Sequence, residues 1–111
     1  MQTALYLLKS GGKNKLLEWG NMLMNTYKTD ALETLKEEKC MFEMMCFITI
    51  DGRDYVFGMM LEEYINEDIL PANKDKELNK MHKDVLRNAI EKPLKKNIEV
   101  MYEYKKRAVE L

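Results

Sequence analysis

A chain of 111 residues carrying 18 Lys+Arg against 19 Asp+Glu, net charge −1, reads as a single domain over 1–111, long enough to bury roughly two thirds of its unfolded surface. That balance gives no broad electrostatic reason to bind nucleic acid. No apolar run approaches the ~20 residues of a membrane span, and no basic segment leads into an apolar stretch with a cleavage site, so the expectation is a cytoplasmic protein with no membrane partner.

Met1 to Lys9 reads as a first strand, ended by Ser10-Gly11-Gly12. A helix follows from about Asn14, with Leu16, Gly20, Leu23, Tyr27, Ala31 and Leu35 at spacings of three and four and Trp19 and Met24 on the shoulder of that stripe. Asp30 with Glu33 three residues later resembles a capping box, which predicts a break near Thr29 and a second helical piece over Ala31 to Glu38. Two apolar runs, Cys40 to Ile50 and Tyr55 to Leu61, flank Asp51-Gly52, a favoured pair for a tight hairpin turn needing positive φ. Residues Glu62 to Asn73 form an irregular connection containing Pro71. A second long helix is expected from about Lys74 to Glu91, stopped by Pro93, with Leu78, Met81 or His82, Val85, Leu86, Ala89 and Ile90 inside. Asn97 to Tyr104 is the expected last strand, before a charged tail. The basic cluster of Lys92, Lys95, Lys96, Lys105, Lys106 and Arg107 reads as a solvated helix end and tail.

This order, β-α-β-β-α-β, is the split βαβ or ferredoxin-like arrangement: an α+β fold with an antiparallel four-stranded sheet and two helices on one face. A two-residue hairpin loop pairs Ile50 with Arg53 and continues through Ile48–Tyr55, Cys46–Phe57, Met44–Met59 and Phe42–Leu61 on one face. The other face holds Phe47–Val56, Met45–Gly58 and Glu43–Met60. Both faces are apolar, where an exposed hairpin would alternate. The first set, bulky and uncharged beyond the Ile50–Arg53 end pair, is expected under the helices. The second then faces outward, too apolar for a comfortable monomer, which predicts a homodimer through the open sheet face. Gly58 opposite Met45, beside an acid, also makes that face a candidate small-molecule pocket lined by Tyr6, Glu43, Met45, Phe47, Val56, Gly58 and Met60.

Glu43 and the only histidine, His82, are the candidate catalytic groups. An acid among apolar side chains can have a raised pKa suited to proton transfer; its plainer reading is an exposed strand edge or a lysine pair across the dimer. Glu99 and Glu103, on one face of the expected last strand, could approach the partner's Glu43, or simply be its wet side. His82 borders an apolar stripe, where histidines are usually packed and hydrogen-bonded, and its neighbours Leu78 and Leu86 cannot bind metal. Cys40 and Cys46 lie roughly 20 Å apart along a strand at ~3.3 Å per residue, too far for a mutual disulfide, and lack zinc spacing. Buried thiols and a methionine-rich soft interior are the simple account. No phosphate loop, Ser-centred elbow, HExxH or RNA-stacking aromatic pattern is present, so no cofactor and no metal are expected.

Ala31-Leu32-Glu33-Thr34-Leu35-Lys36-Glu37-Glu38, the Asp51-Gly52 hairpin and Met81-His82-Lys83-Asp84-Val85-Leu86 resemble a group of small uncharacterised bacterial proteins, itself similar to the dimeric α/β barrel superfamily. The resemblance implies two ferredoxin-like sheets forming one barrel. Related barrels include cofactor-free monooxygenases, sugar mutarotases, haem-handling enzymes and many members with no known activity, and none of their catalytic sets maps onto these residues. Two functions follow: a homodimeric small-molecule-binding domain, with or without catalysis, or a non-catalytic dimerisation module with no ligand site.

Overall fold

The computed structural model describes residues 2–62, 76–94, 101, 102 and 104. It is an α+β domain with the element order β1 (Gln2–Leu8), α1 (Gly12–Met24), α2 (Lys28–Glu37), β2 (Cys40–Ile50), β3 (Arg53–Glu62), α3 (Glu77–Ala89) and β4 (Ile90–Pro93). The four strands form one antiparallel sheet in the order β2-β3-β1-β4. Since β1 and β2 both oppose β3, they run parallel to each other with β3 between them. By the same logic β3 and β4 are parallel with β1 between. Two helices, not one, carry the first crossover, so the sheet is accompanied by three helices.

The hairpin follows its turn chemistry. Asp51 (φ 51) and Gly52 (φ 76) are both left-handed, as a two-residue turn matching strand twist requires. Every expected pair is present, from Ile50–Arg53 to Phe42–Leu61 and from Phe47–Val56 to Glu43–Met60; a bulge intervenes between Cys40 and Phe42.

Which face is buried is the reverse of the expectation. The core is Leu8, Leu16, Val56 and Ala89, with Tyr6, Phe47, Val85, Leu86 and Ile90 packed around it. Val56 is 1% exposed. The row Phe47–Val56–Tyr6 therefore lies under the helices. The face carrying Ile48–Tyr55, Cys46–Phe57 and Met44–Met59 is, among the described residues, the one the helices do not cover, although Leu7, opposite Tyr55 on that face, is buried. Pairing parity alone cannot separate two stripes that are both apolar; the helices choose the stripe whose central members, Val56 and Tyr6, mesh with Leu16 and Ala89.

Three element boundaries also differ. The helical break falls at residues 25–27 rather than near Thr29, and α2 starts at Lys28 with Tyr27 as its cap and no side-chain cap bond. Asp30 thus sits in the first turn, where its carbonyl accepts the Thr34 hydroxyl at 2.9 Å and its charge favours the helix N-terminus. Trp19 is not on a shoulder of α1: with Gly12 and Leu16 it is one of that helix's buried residues. Finally, α3 ends at Ala89 rather than Glu91, and β4 begins at the next residue. Pro93 lies inside β4, opposite Tyr6, a position open to proline because an edge strand does not need every N–H. Of the expected strand 97–104, only Met101, Tyr102 and Tyr104 are described, all three exposed; the rest lies outside the described residues.

The start of α1 is held by backbone contact with the end of α3. Lys9 N–H donates to the Ala89 carbonyl at 2.9 Å, and a Cβ on Gly12 would overlap that same carbonyl oxygen. Only glycine fits there. Gly20 is the contrasting case, a mid-helix glycine with open space where its Cβ would be. Gly12→Ala is expected to lower stability by about 1–3 kcal/mol through overpacking. Gly20→Ala should raise it by up to about 1 kcal/mol from helix propensity; urea unfolding midpoints measure both.

Candidate functional site

The polar chemistry of the described chain lies on the helical side of the sheet, in two separate places. In the first, α1 and α3 bring Trp19 and His82 together. Trp19 Nε1–H donates to His82 Nδ1 at 2.8 Å, with the two rings 6.1 Å apart and the Tyr27 ring 5.9 Å from the indole, tilted by 44°. A nitrogen that accepts a hydrogen bond carries no proton, so His82 is neutral with its proton on Nε2. Burial acts in the same direction, holding its pKa below the usual histidine value. Beside this cluster a shallow groove of about 230 Å³ is lined by Lys15, Glu18, Trp19, Met22, Val85 and Asn88. Ligand cavities usually run from about 300 Å³ upward, so the groove is small for that purpose.

The second place is the junction of α2 with β2. Lys76 pairs with Glu37 at 3.3 Å. Next to them Glu38 has a raised pKa, first from desolvation and then from the like charges of Glu43 and Glu37, with Lys76 opposing. Glu43 is exposed overall, yet the chain around its carboxyl removes enough water to raise its pKa above the ordinary carboxylate value. The like charge of Glu43 acts on Glu38, whereas the shift of Glu43 itself comes from desolvation. Among the described residues no group of three His, Cys, Asp or Glu is placed to hold a metal ion.

The sequence-predicted pocket residues do share one face; the helices cover its Tyr6–Val56–Phe47 row, while Glu43 and Met45 on the same face stay exposed. Tyr6, Phe47 and Val56 are packed into the core, with Lys13 Nζ 5.6 Å over the Phe47 ring. Met45 lies over Gly58: a Cβ there would meet Met45 side-chain carbons at 3.7 and 3.9 Å. The space opened by the missing side chain is filled by Met45 itself. Met60 is half-buried between Glu43 and Gln2 in the sheet. Glu43 and His82 have different neighbours, an acid cluster and an indole, and Glu99 and Glu103 lie outside the described residues. Cys40 is buried and its thiol contacts the Phe42 carbonyl at 3.2 Å. The Trp19–His82 pair was not anticipated; the only trace of it in the sequence is that each residue borders an apolar helical stripe.

The chain belongs to DUF6176, a family of unknown function. The family model matches residues 1–108, nearly the whole domain described above. No curated protein and no solved structure matches the chain. Among the described residues of this DUF6176 domain, no helix is long and apolar enough to cross a membrane.

Both titratable places make measurable predictions. His82 is lowered in the folded state, so between its folded value and the ordinary 6.5 the unfolded chain binds the extra proton. Stability should then be full above that range and fall as pH drops through it. Urea unfolding from about pH 8 to about pH 5.5 should show this slope, and His82→Leu should flatten it. For the acids the sign is opposite. Raised carboxyl values mean that the folded state holds protons longer than the unfolded one, so this contribution is present below 4.5 and lost as pH rises above it. Glu43→Gln removes one like charge and should move the Glu38 titration midpoint, followed by side-chain NMR, downward.

Proposed function

We propose that this domain works as a homodimer in which the uncovered sheet faces of two copies pack together, as in the ferredoxin-like α/β barrels that the sequence resembles. One observation carries this reading. The uncovered face presents Phe42, Met44, Ile48 and Ile50 from β2, exposed by 37–53%, beside Tyr55, Phe57, Met59 and Leu61 of β3. Between the turn and the far end of the hairpin it carries no charged side chain. Contiguous apolar surface of this kind marks an interaction site. A two-fold interface places each patch against itself, and an uncharged patch does so without like-charge repulsion. The interleaved crossovers support the ferredoxin-like reading, with the first crossover split into two helices.

Assembly is the favoured function because it asks nothing of the face beyond shape and apolarity. The titratable groups that could drive catalysis, Glu43 and His82, belong to the opposite, helix-covered side. The small-molecule reading draws on the methionines. Met44 and Met59 sit opposite one another on the uncovered face, with Cys46 and Phe57 as the next pair, and such polarizable side chains adapt to irregular apolar shapes. A ligand held between the two sheets would accordingly be small and uncharged. Light scattering across a dilution series should give twice the chain mass. Ile48→Lys, which brings like charges into the interface, should weaken the dimer by several kcal/mol while leaving the far-UV circular dichroism unchanged. A monomeric wild type at all concentrations refutes the reading.

A further inference from the structure

The hairpin register carries a second consequence, at the edge of the sheet rather than on its face. We infer that two copies join along β2, antiparallel about a two-fold axis at Cys46, into one continuous sheet. A two-residue turn makes Ile50–Arg53 a hydrogen-bonded pair, so Ile50, Ile48, Cys46, Met44 and Phe42 direct their N–H and C=O groups toward β3. Thr49, Phe47, Met45 and Glu43 direct theirs the other way. Among the described residues no strand lies beyond β2, an edge of 11 residues.

Edges of that length are normally protected by lysine, proline or inward charge. This strand, Cys-Met-Phe-Glu-Met-Met-Cys-Phe-Ile-Thr-Ile, has neither lysine nor proline; its single charge, Glu43, and its bulge between Cys40 and Phe42 both lie toward one end, leaving Met44 to Ile50 without either. A two-fold axis at Cys46 sets Met45 against the partner's Phe47 and Glu43 against the partner's Thr49, with the reciprocal pairs. It is the only two-fold register in which all four outward-facing residues find hydrogen-bonding partners. It also separates the two Glu43 carboxylates, which an axis at Glu43 would bring together. The pairing satisfies the hydrogen bonds of the edge and keeps the one charge of the strand away from its copy, so a second copy is the occupant it suits. The helices of both copies then lie on the outside of the joined sheet, and its curl toward a barrel brings the two apolar faces together across the inside. This seam rests on the reading of the protein as a homodimer and specifies how the copies are registered.

The axis leaves Cys46 opposite the partner's Cys46 in a non-hydrogen-bonded pair, where Cα atoms are ~4.5 Å apart and within the ~4.4–6.8 Å span of a disulfide. Oxidation by copper–phenanthroline, which removes two electrons and two protons from an apposed thiol pair, should give a covalent dimer of Cys40→Ser and none of Cys46→Ser. If Cys40→Ser fails to fold, the wild-type chain with its cross-linked peptide mapped gives the same readout. In a chain lacking both native cysteines, Met44→Cys faces the partner's Ile48. Its own copy then lies about 13 Å away along the strand, so cross-linking should be at least about tenfold slower. A dimeric mass by light scattering without a Cys46 cross-link, or with one formed equally fast at Met44→Cys, overturns the seam and leaves the dimer standing. A monomeric mass overturns both.

Discussion

The register of one hairpin governs much of this molecule. Asp51 and Gly52 both take left-handed backbone, and a turn of that type joins its strands without splaying them. Once Ile50 faces Arg53, the side of every following residue is settled, because side chains alternate with a period of two. So is the direction of every backbone hydrogen bond along β2. Val56 and Phe47 fall on one side, Met44 and Ile48 on the other, and Glu43, Met45, Phe47 and Thr49 turn their peptide groups to the outer edge. A slip of one residue would exchange the buried stripe for the exposed one.

The helices turn that parity into a core. Leu16 of α1 and Ala89 of α3 close on Leu8 and Val56, and the close approach is made possible by residues with little or no side chain. Gly12 lies against the Ala89 carbonyl, the same oxygen that accepts the Lys9 amide. The end of β1, the start of α1 and the end of α3 are thereby tied at one point, and α3 passes into β4 without a loop. Farther along the same helix pair, Trp19 and His82 meet through a hydrogen bond that satisfies both ring nitrogens involved. A buried indole N–H would be costly alone; paired with the half-buried imidazole it joins α1 to α3.

These constraints divide the molecule chemically. Groups with perturbed titration, Glu38, Glu43 and His82, belong to the helical side, where burial and like charge explain their shifts without reference to a substrate. Along the hairpin the other side is mainly apolar, with Arg53 at its turn end and Lys92 on β4 as its charges among the described residues. The homodimer proposed above uses this apolar side. Assembly, in this view, comes from what the helices do not cover.

The hairpin could be read from sequence because its signal is local: Asp-Gly between two strand-forming runs leaves little freedom for turn type or pairing, and every pair from Ile50–Arg53 to Phe42–Leu61 follows. The α+β class and the first strand were legible for the same reason. The fourth strand was not, since Ile90-Glu91-Lys92-Pro93 has no strand signature and becomes one only through pairing with Tyr6, Leu7 and Leu8. Nor was the buried role of Trp19, which depends on α3 supplying His82 from 63 residues away. Tyr6, Glu43, Met45, Phe47, Val56, Gly58 and Met60 stand on one face, as alternation requires, but their Tyr6–Val56–Phe47 row lies under the helices. Alternation along a strand shows which residues stand together. When both stripes are apolar, only packing against the helices decides which is buried, because that choice depends on shape across elements distant in the chain.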